Sequence, residues 1–164
     1  MVSARKVHKR RGKGIAGIAS LLPGPNQVKV GFPAGEADSD VIQRAIWQEF
    51  GTRGGASGGG WGGPVPERPF MRNAIRDGQS SNKAMMKTEA RRIIVDAIKG
   101  KDVAMSKRLT LRRLGIKVQG DIQASITSLR SPPNSPVTIA MKGSSNPLID
   151  SGEMRDSVAF KVEE

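Results

Sequence analysis

The sequence predicts an α+β fold: a small antiparallel sheet packed against two long amphipathic helices, with a flexible basic N-terminal arm and a Gly-rich loop. Three observations lead there. Apolar and other residues alternate near both ends of the chain, over Gln27–Pro33 and Met154–Val162, as in a half-buried strand. Between these ends lie two long segments whose apolar residues recur every three or four positions, the helical period. Prolines and glycines separate the periodic segments. Strands at the ends with helices between give an α+β domain whose first and last strands pair in one sheet.

The elements follow in order. Val28, Val30 and Phe32 alternate with Lys29 and Gly31, which makes 27–33 the first strand. After a turn over 34–38, Ser39 or Asp40 caps a short helix running to Phe50. Its apolar positions are Val41, Ile42, Ala45, Ile46 and Phe50, and Gly51 stops it. Residues 52–63 hold seven glycines in twelve positions, too much backbone freedom to be ordered by local contacts. Pro66 and Pro69 open a short helix over 66–77, where a missing N–H costs little, and Gly78 ends it. A longer helix starts at Ser80 or Ser81 and reaches about Lys99, with Met85, Met86, Ala90, Ile93, Ile94, Ala97 and Ile98 on one stripe.

The second long helix spans 106–129, with Leu111, Leu114, Val118, Ile122, Ile126 and Leu129 on its apolar face. Gly115 and Gly120 each weaken it by up to about 1 kcal/mol, and their missing side chains allow another helix to approach. The run Arg130–Pro136 excludes regular structure. Residues 137–141 read as a short strand or a helical turn, and 142–146 as a polar loop. The last strand covers 154–162, with Asp156 as the one break in its apolar face. The organisation is therefore a basic arm over 1–26 and one domain over 27–164, with the Gly-rich loop at 52–65.

Composition narrows the function. Of 164 residues only 37% are hydrophobic and few are aromatic, a thin core that implies surfaces buried on assembly. Cysteine is absent, which removes disulfides and thiolate metal sites. The one histidine, His8, sits in the basic tail and reads as solvated rather than as part of a triad or zinc site. No apolar run approaches the roughly 20 residues of a membrane span. The start looks superficially like a secretion signal, but Ile15–Leu22 is short, is broken by Gly17 and Ser20, and is closed by Pro23; it reads as a tail joining the fold.

The formal charge is +12 and is unevenly spread. Arg5, Lys6, Lys9, Arg10, Arg11 and Lys13 fall in the first thirteen residues with no acid among them. Such a cluster suits phosphates or an acidic protein face, or serves as a solubilising tail. No aromatics interleave with it for stacking on single-stranded bases.

Two motifs suggest chemistry and are set aside. The Gly-rich loop lacks the Gly-Lys-Ser/Thr of a phosphate loop, and a helix rather than a strand precedes it, so it is not a nucleotide site. Leu148-Ile149-Asp150-Ser151-Gly152 matches the short string of retroviral-type aspartic proteases, whose chemistry needs two such aspartates sharing a proton. Those proteases place the triplet early in an all-β domain. Here helices fill the middle of the chain and twelve residues follow the triplet, so a turn held by Asp150, Ser151 and Gly152 is the simpler reading. Glu36, Asp38 and Asp40 lack the spacing of a calcium loop and read as solvated acids. No catalytic, metal-binding or cofactor-binding residues are assigned.

Five segments occur in a fixed order: VKVGFPAG (28–35), IWQEFGT (46–52), PERPFMRNAI (66–75), NSPVTIAMKGSSNPLIDSG (134–152) and MRDSVAFKV (154–162). Together they resemble the tail-component family of tailed bacteriophages, which includes tail-completion and head–tail joining proteins. Gln48, Glu67 and Ser151 are mild departures from the family pattern, and the Gly-rich insert is a larger one. The resemblance implies a non-enzymatic virion protein. It would form a ring, commonly a hexamer, at the top of the tail or in the neck, and would be assembled in the host cytoplasm. Partners so implied are further copies of itself and neighbouring neck and tail proteins (head-closure or adaptor, tail-tube and terminator), with DNA in the channel as a further contact.

On this reading the subunit contact involves Phe50, Gly54, Gly55, Trp61, Phe70, Met71, Asp150 and Arg155. Phe50 anchors the start of the Gly-rich loop, and Phe70 and Met71 anchor its return. Trp61 holds the loop to a neighbour or is a chance exposed aromatic. The rival class is a basic nucleic-acid-binding protein that contacts phosphates through its N-terminal arm and the Arg108–Lys117 run.

Overall fold

The computed structural model describes residues 22–33, 35–53 and 64–163. The fold is α+β, and the described residues form seven elements: β1 (Gln27–Gly31), α1 (Ser39–Phe50), α2 (Phe70–Ile98), α3 (Val103–Ser128), α4 (Pro136–Lys142), α5 (Glu153–Asp156) and β2 (Ala159–Glu163). The two strands pair antiparallel, with Val28 opposite Val162 and Val30 opposite Phe160. The predicted union of the two ends of the domain in one sheet therefore holds.

The two long helices run antiparallel. Ser125 Oγ near the end of α3 donates to Phe70 O at the start of α2 (2.8 Å), and Ser106 Oγ near the start of α3 donates to Asp96 Oδ2 near the end of α2 (3.1 Å). The sheet lies across α3. At that contact Gly115 matters: a Cβ built there would lie 2.4 Å from Phe160 Cδ2. The close approach expected at this glycine is real, but a strand side chain makes it and not a second helix. Gly120, one turn on, faces open space.

One core joins the layers. Val41 and Ala45 of α1, Phe70 and Ala74 of α2, Val118, Ile122 and Ile126 of α3, then Leu148, Met154 and Val158 all bury in one cluster. Phe70 has no exposed surface and meets Phe32 edge-on, with ring centroids 6.3 Å apart. Burying one such side chain stabilises the fold by about 1.5–3 kcal/mol.

The structure departs from the sequence reading in three places and decides between two readings in another. First, the predicted helices over 66–77 and 80–99 are one helix of 29 residues that begins at Phe70. Gly78 does not end it, because packing on α3 supplies what local propensity withholds; its missing Cβ leaves room for Asp121 Oδ2, which a Cβ would meet at 3.0 Å. Second, the predicted strand over 154–162 starts only at Ala159. Gly152, at φ +89°, starts the short helix α5, and Met154 buries on its inner side. Asp156, the break in the alternation, marks that helix. Of the strand and the helical turn read for 137–141, the structure takes the helix: Ser135 accepts from Thr138 N, and Pro136 holds the first helical position. Third, the last residues of the predicted flexible arm are pinned. Lys107 Nζ donates to Leu22 O (2.9 Å), Gly24 O (3.2 Å) and Asn26 Oδ1 (2.6 Å), and Pro25 is buried. The cluster from Arg5 to Lys13 lies outside the described residues.

Candidate functional site

Two buried charges organise the end of the molecule where α1, α2 and the 130–136 segment meet. Glu49, 4% exposed, projects from α1 to the start of α2. Its carboxylate accepts from Met71 N (2.9 Å), Arg72 N (3.1 Å) and Arg72 Nε (2.9 Å). Pro69 occupies the cap position of α2 and offers no side-chain acceptor, so a carboxylate from another helix satisfies the open N–H groups and meets the positive end of the helix dipole. Arg72 also bonds Glu49 O (2.7 Å) and Glu67, and its guanidinium lies 5.3 Å from the Phe50 ring centre.

Arg68 is likewise 4% exposed. It donates to Pro132 O (2.8 Å), Pro133 O (3.0 Å), Gln48 Oε1 (2.6 Å) and Asn134 Oδ1 (3.3 Å). A flat five-donor fork suits this spread of carbonyls as an ammonium would not. Burial lowers its pKa from the usual arginine value. The proline-rich run, which has few N–H groups for regular structure, is thus held through its carbonyls.

Beside this junction a cleft of about 190 Å³ opens between α1, α4 and the 147–154 turn, lined by Arg44, Gln48, Asn134, Lys142, Asp150 and Glu153 among others. Arg44 Nη2 pairs with Glu153 Oε2 at 2.5 Å. Lys142 donates to Asn146 O (3.2 Å). Its pKa falls because burial disfavours the charge, while Asp150 opposes the fall and Arg68 adds to it. Asn146 Oδ1 accepts from Leu148 N (3.0 Å) and Ile149 N (3.2 Å), which fixes the approach to the Asp150 turn. The cleft offers donors and carboxylates with the volume of about one side chain. Among the described residues no group of three or more His, Asp or Glu side chains gathers as metal ligands.

The residues assigned from sequence to a subunit contact fall in different surroundings. Phe50 is 64% exposed at the end of α1. Phe70 is wholly buried, so it anchors the return of the chain within the core and presents no surface for a neighbour. Met71 is half-buried against the core. Asp150 is exposed at the cleft. Arg155 bonds Asp156 through Nε (2.8 Å) and Nη2 (3.2 Å), which raises its pKa and lowers that of Asp156. Gly54, Gly55 and Trp61 lie outside the described residues. Glu49, Arg68 and Lys107 were not singled out from sequence. The first two sit inside the IWQEFGT and PERPFMRNAI segments, a signal for position but not for burial. Lys107 sits in a basic run, where nothing marks it as the buried member.

Comparison with family models, with curated proteins and with solved structures finds no match for this chain.

Proposed function

We propose that this chain is a structural protein of the bacteriophage neck or tail top, forming a ring of six copies that completes the tail and joins it to the head. The reading rests on the resemblance of the five ordered segments, and one observation gives it physical support. Large apolar side chains stand in solvent on several elements: Ile46 and Phe50 on α1, Ile98 on α2 (80% exposed), Leu109 and Ile116 on α3, Val137 and Met141 on α4. A lone subunit keeps such surfaces wet, whereas an assembly buries them. The segments that carry the resemblance also hold one another: Glu49 binds the start of α2, and Arg68 binds the 130–136 run. On this reading the protein acts by presenting surfaces and catalyses nothing.

Native mass spectrometry of the full chain tests the reading, with a closed ring as the expected species; a monomer at every concentration would overturn it. The alternative, a nucleic-acid-binding protein using its N-terminal arm, draws on the six cations between Arg5 and Lys13. It predicts a salt-sensitive gel shift that is lost when residues 1–14 are removed.

A further inference from the structure

The solvent face of α2 carries a row of cations that nothing pairs. Lys83, Lys87 and Arg91 are exposed and follow one another at four-residue intervals. They therefore lie on one face of the helix, with about 6 Å of rise between neighbours. None of the three side chains takes a hydrogen bond or an ion pair among the described residues. Like charges at this spacing oppose one another and weaken a helix.

The acids of α2 do not relieve them. Between Asp77 and Asp96 the helix holds one acid, Glu89. Lys87 and Arg91 stand two residues to either side of it, which at about 3.6 residues per turn sets them on the far side of the helix. Glu89 is turned to α3, where it accepts from Thr110 Oγ1 (3.0 Å) and pairs with Arg113 (3.3 Å); it also pairs with Arg92 (2.8 Å). Asp96 is held by Lys101 (3.1 Å) and Ser106 (3.1 Å). Three cations fixed in the middle of a 29-residue helix are thus left facing solvent.

The surroundings of the row select its partner. A protein interface is centred on apolar anchors, and a membrane surface takes up an apolar helix face. Along α2 no large apolar side chain is exposed between Ile75 and Val95, and Val95 and Ile98 stand beyond Arg91 at the end of the helix. Contact with phosphates needs charge alone. Unpaired bases call for aromatic side chains to stack on, and α2 has none after Phe70. We propose that Lys83, Lys87 and Arg91 bind the phosphate backbone of duplex DNA, one cation to each of three phosphates along a strand, without reading its sequence. The contact requires neither a ring nor the basic arm.

Titration of a short fluorescent duplex with the full-length protein, over a range of salt concentrations, tests the contact. Neutralising the row (Lys83→Gln, Lys87→Gln and Arg91→Gln together) should lower the slope of log affinity against log salt by about 2.7, the share of three phosphates at about 0.9 each. Lys83→Arg with Lys87→Arg should leave the slope at the wild-type value. So should neutralising three cations elsewhere, Lys29, Arg130 and Lys161, which changes the net charge equally. Circular dichroism checks that each variant is folded; glutamine suits a helix, and the neutralised row should melt no lower than wild type because its like charges are gone. A wild-type slope in the neutralised row would overturn the contact. An equal drop in the charge-matched control would overturn it as well, since net charge alone would then be acting. So would wild-type protein that leaves the duplex unbound at low salt. Binding through the row to single strands, to vesicles of anionic lipid or to polyglutamate in preference to the duplex would overturn the choice of duplex DNA. Native mass spectrometry decides the ring separately, because a monomer with an intact row still binds.

Discussion

Two glycines in α3 should respond differently to the same substitution. Gly115 and Gly120 are both helical, and alanine is favoured over glycine in a helix by about 0.8–1 kcal/mol. At Gly120 a Cβ meets nothing within 4 Å, so Gly120→Ala should realise that gain in full. At Gly115 the Cβ would stand 2.4 Å from Phe160 Cδ2 and 2.7 Å from Cγ. Ordinary contact begins near 3.4 Å, so the ring must withdraw by about 1 Å. Cγ is the root of the ring and cannot yield by rotation about χ2 alone, and Phe160 is tied through β2 to Val30. Overpacking of this kind costs about 1–3 kcal/mol, which offsets or exceeds the helical gain. Urea unfolding of the two variants beside the wild type should place Gly120→Ala above it by about 0.5–1 kcal/mol, and Gly115→Ala level with it or as much as about 2 kcal/mol below. In a chain of this size each kcal/mol moves the melting temperature by about 2–4 °C, so scanning calorimetry resolves the pair. A Gly115→Ala variant as stable as Gly120→Ala would refute the packing of the sheet on α3.

Three further outcomes follow from the buried charges. Glu49→Ala should destabilise by about 2–4 kcal/mol in urea unfolding, because two α2 N–H groups and Arg72 lose their acceptor; Glu49→Gln should cost about half as much. Arg68→Lys should cost about 2–3 kcal/mol by the same measurement, since one ammonium cannot reach four separated acceptors. Asp96 titrates below the ordinary carboxylate value because Lys101, and then Ser106, hydrogen-bond its charged form. Its folded pKa is depressed, so its contribution is present above about pH 4 and is lost as pH falls through the folded value. Asp96→Asn should therefore lower stability at pH 7, and the deficit should vanish in acid.

Periodicity exposed the architecture where one physical effect dominates. The strand patterns of 27–33 and the chain's far end located both strands and their pairing, because half-burial imposes alternation wherever it occurs. The apolar stripe of α3 was plain for the same reason, whereas on α2 only Ile93 of the predicted stripe is buried and Ile98 stands in solvent. Reading failed where tertiary contact overrides local preference. Gly78 looks like a stop, and only the presence of Asp121 across the interface shows why it is tolerated within a helix. Met154 fits a strand on parity, but left-handed Gly152 and the inward turn of Met154 make α5 there instead. The junction was legible in position, through the segments that carry Glu49 and Arg68, and illegible in chemistry. A lone Glu or Arg in sequence is presumed solvated, and the acceptors of Arg68 are carbonyls of Pro132 and Pro133, which no pattern of side chains announces. The exposure of Met105, Leu109 and Ile116 on the opposite side of α3 was likewise hidden, since their side chains are of the kind that fills a core.

The pairing of β1 with β2 also bears on how the polypeptide matures during translation. Residues 27–31 leave the ribosome before their hydrogen-bonding partners at 159–163, which follow the helices between them. Until then the first strand waits with its amides unmatched, and the seat at Gly115 lacks the Phe160 ring that fills it. A nascent chain interrupted before residue 159 would lack its sheet, and would offer an unsatisfied strand to any passing neighbour. The β1–β2 sheet, and the contact it makes with α3, are therefore complete only once 159–163 have been made.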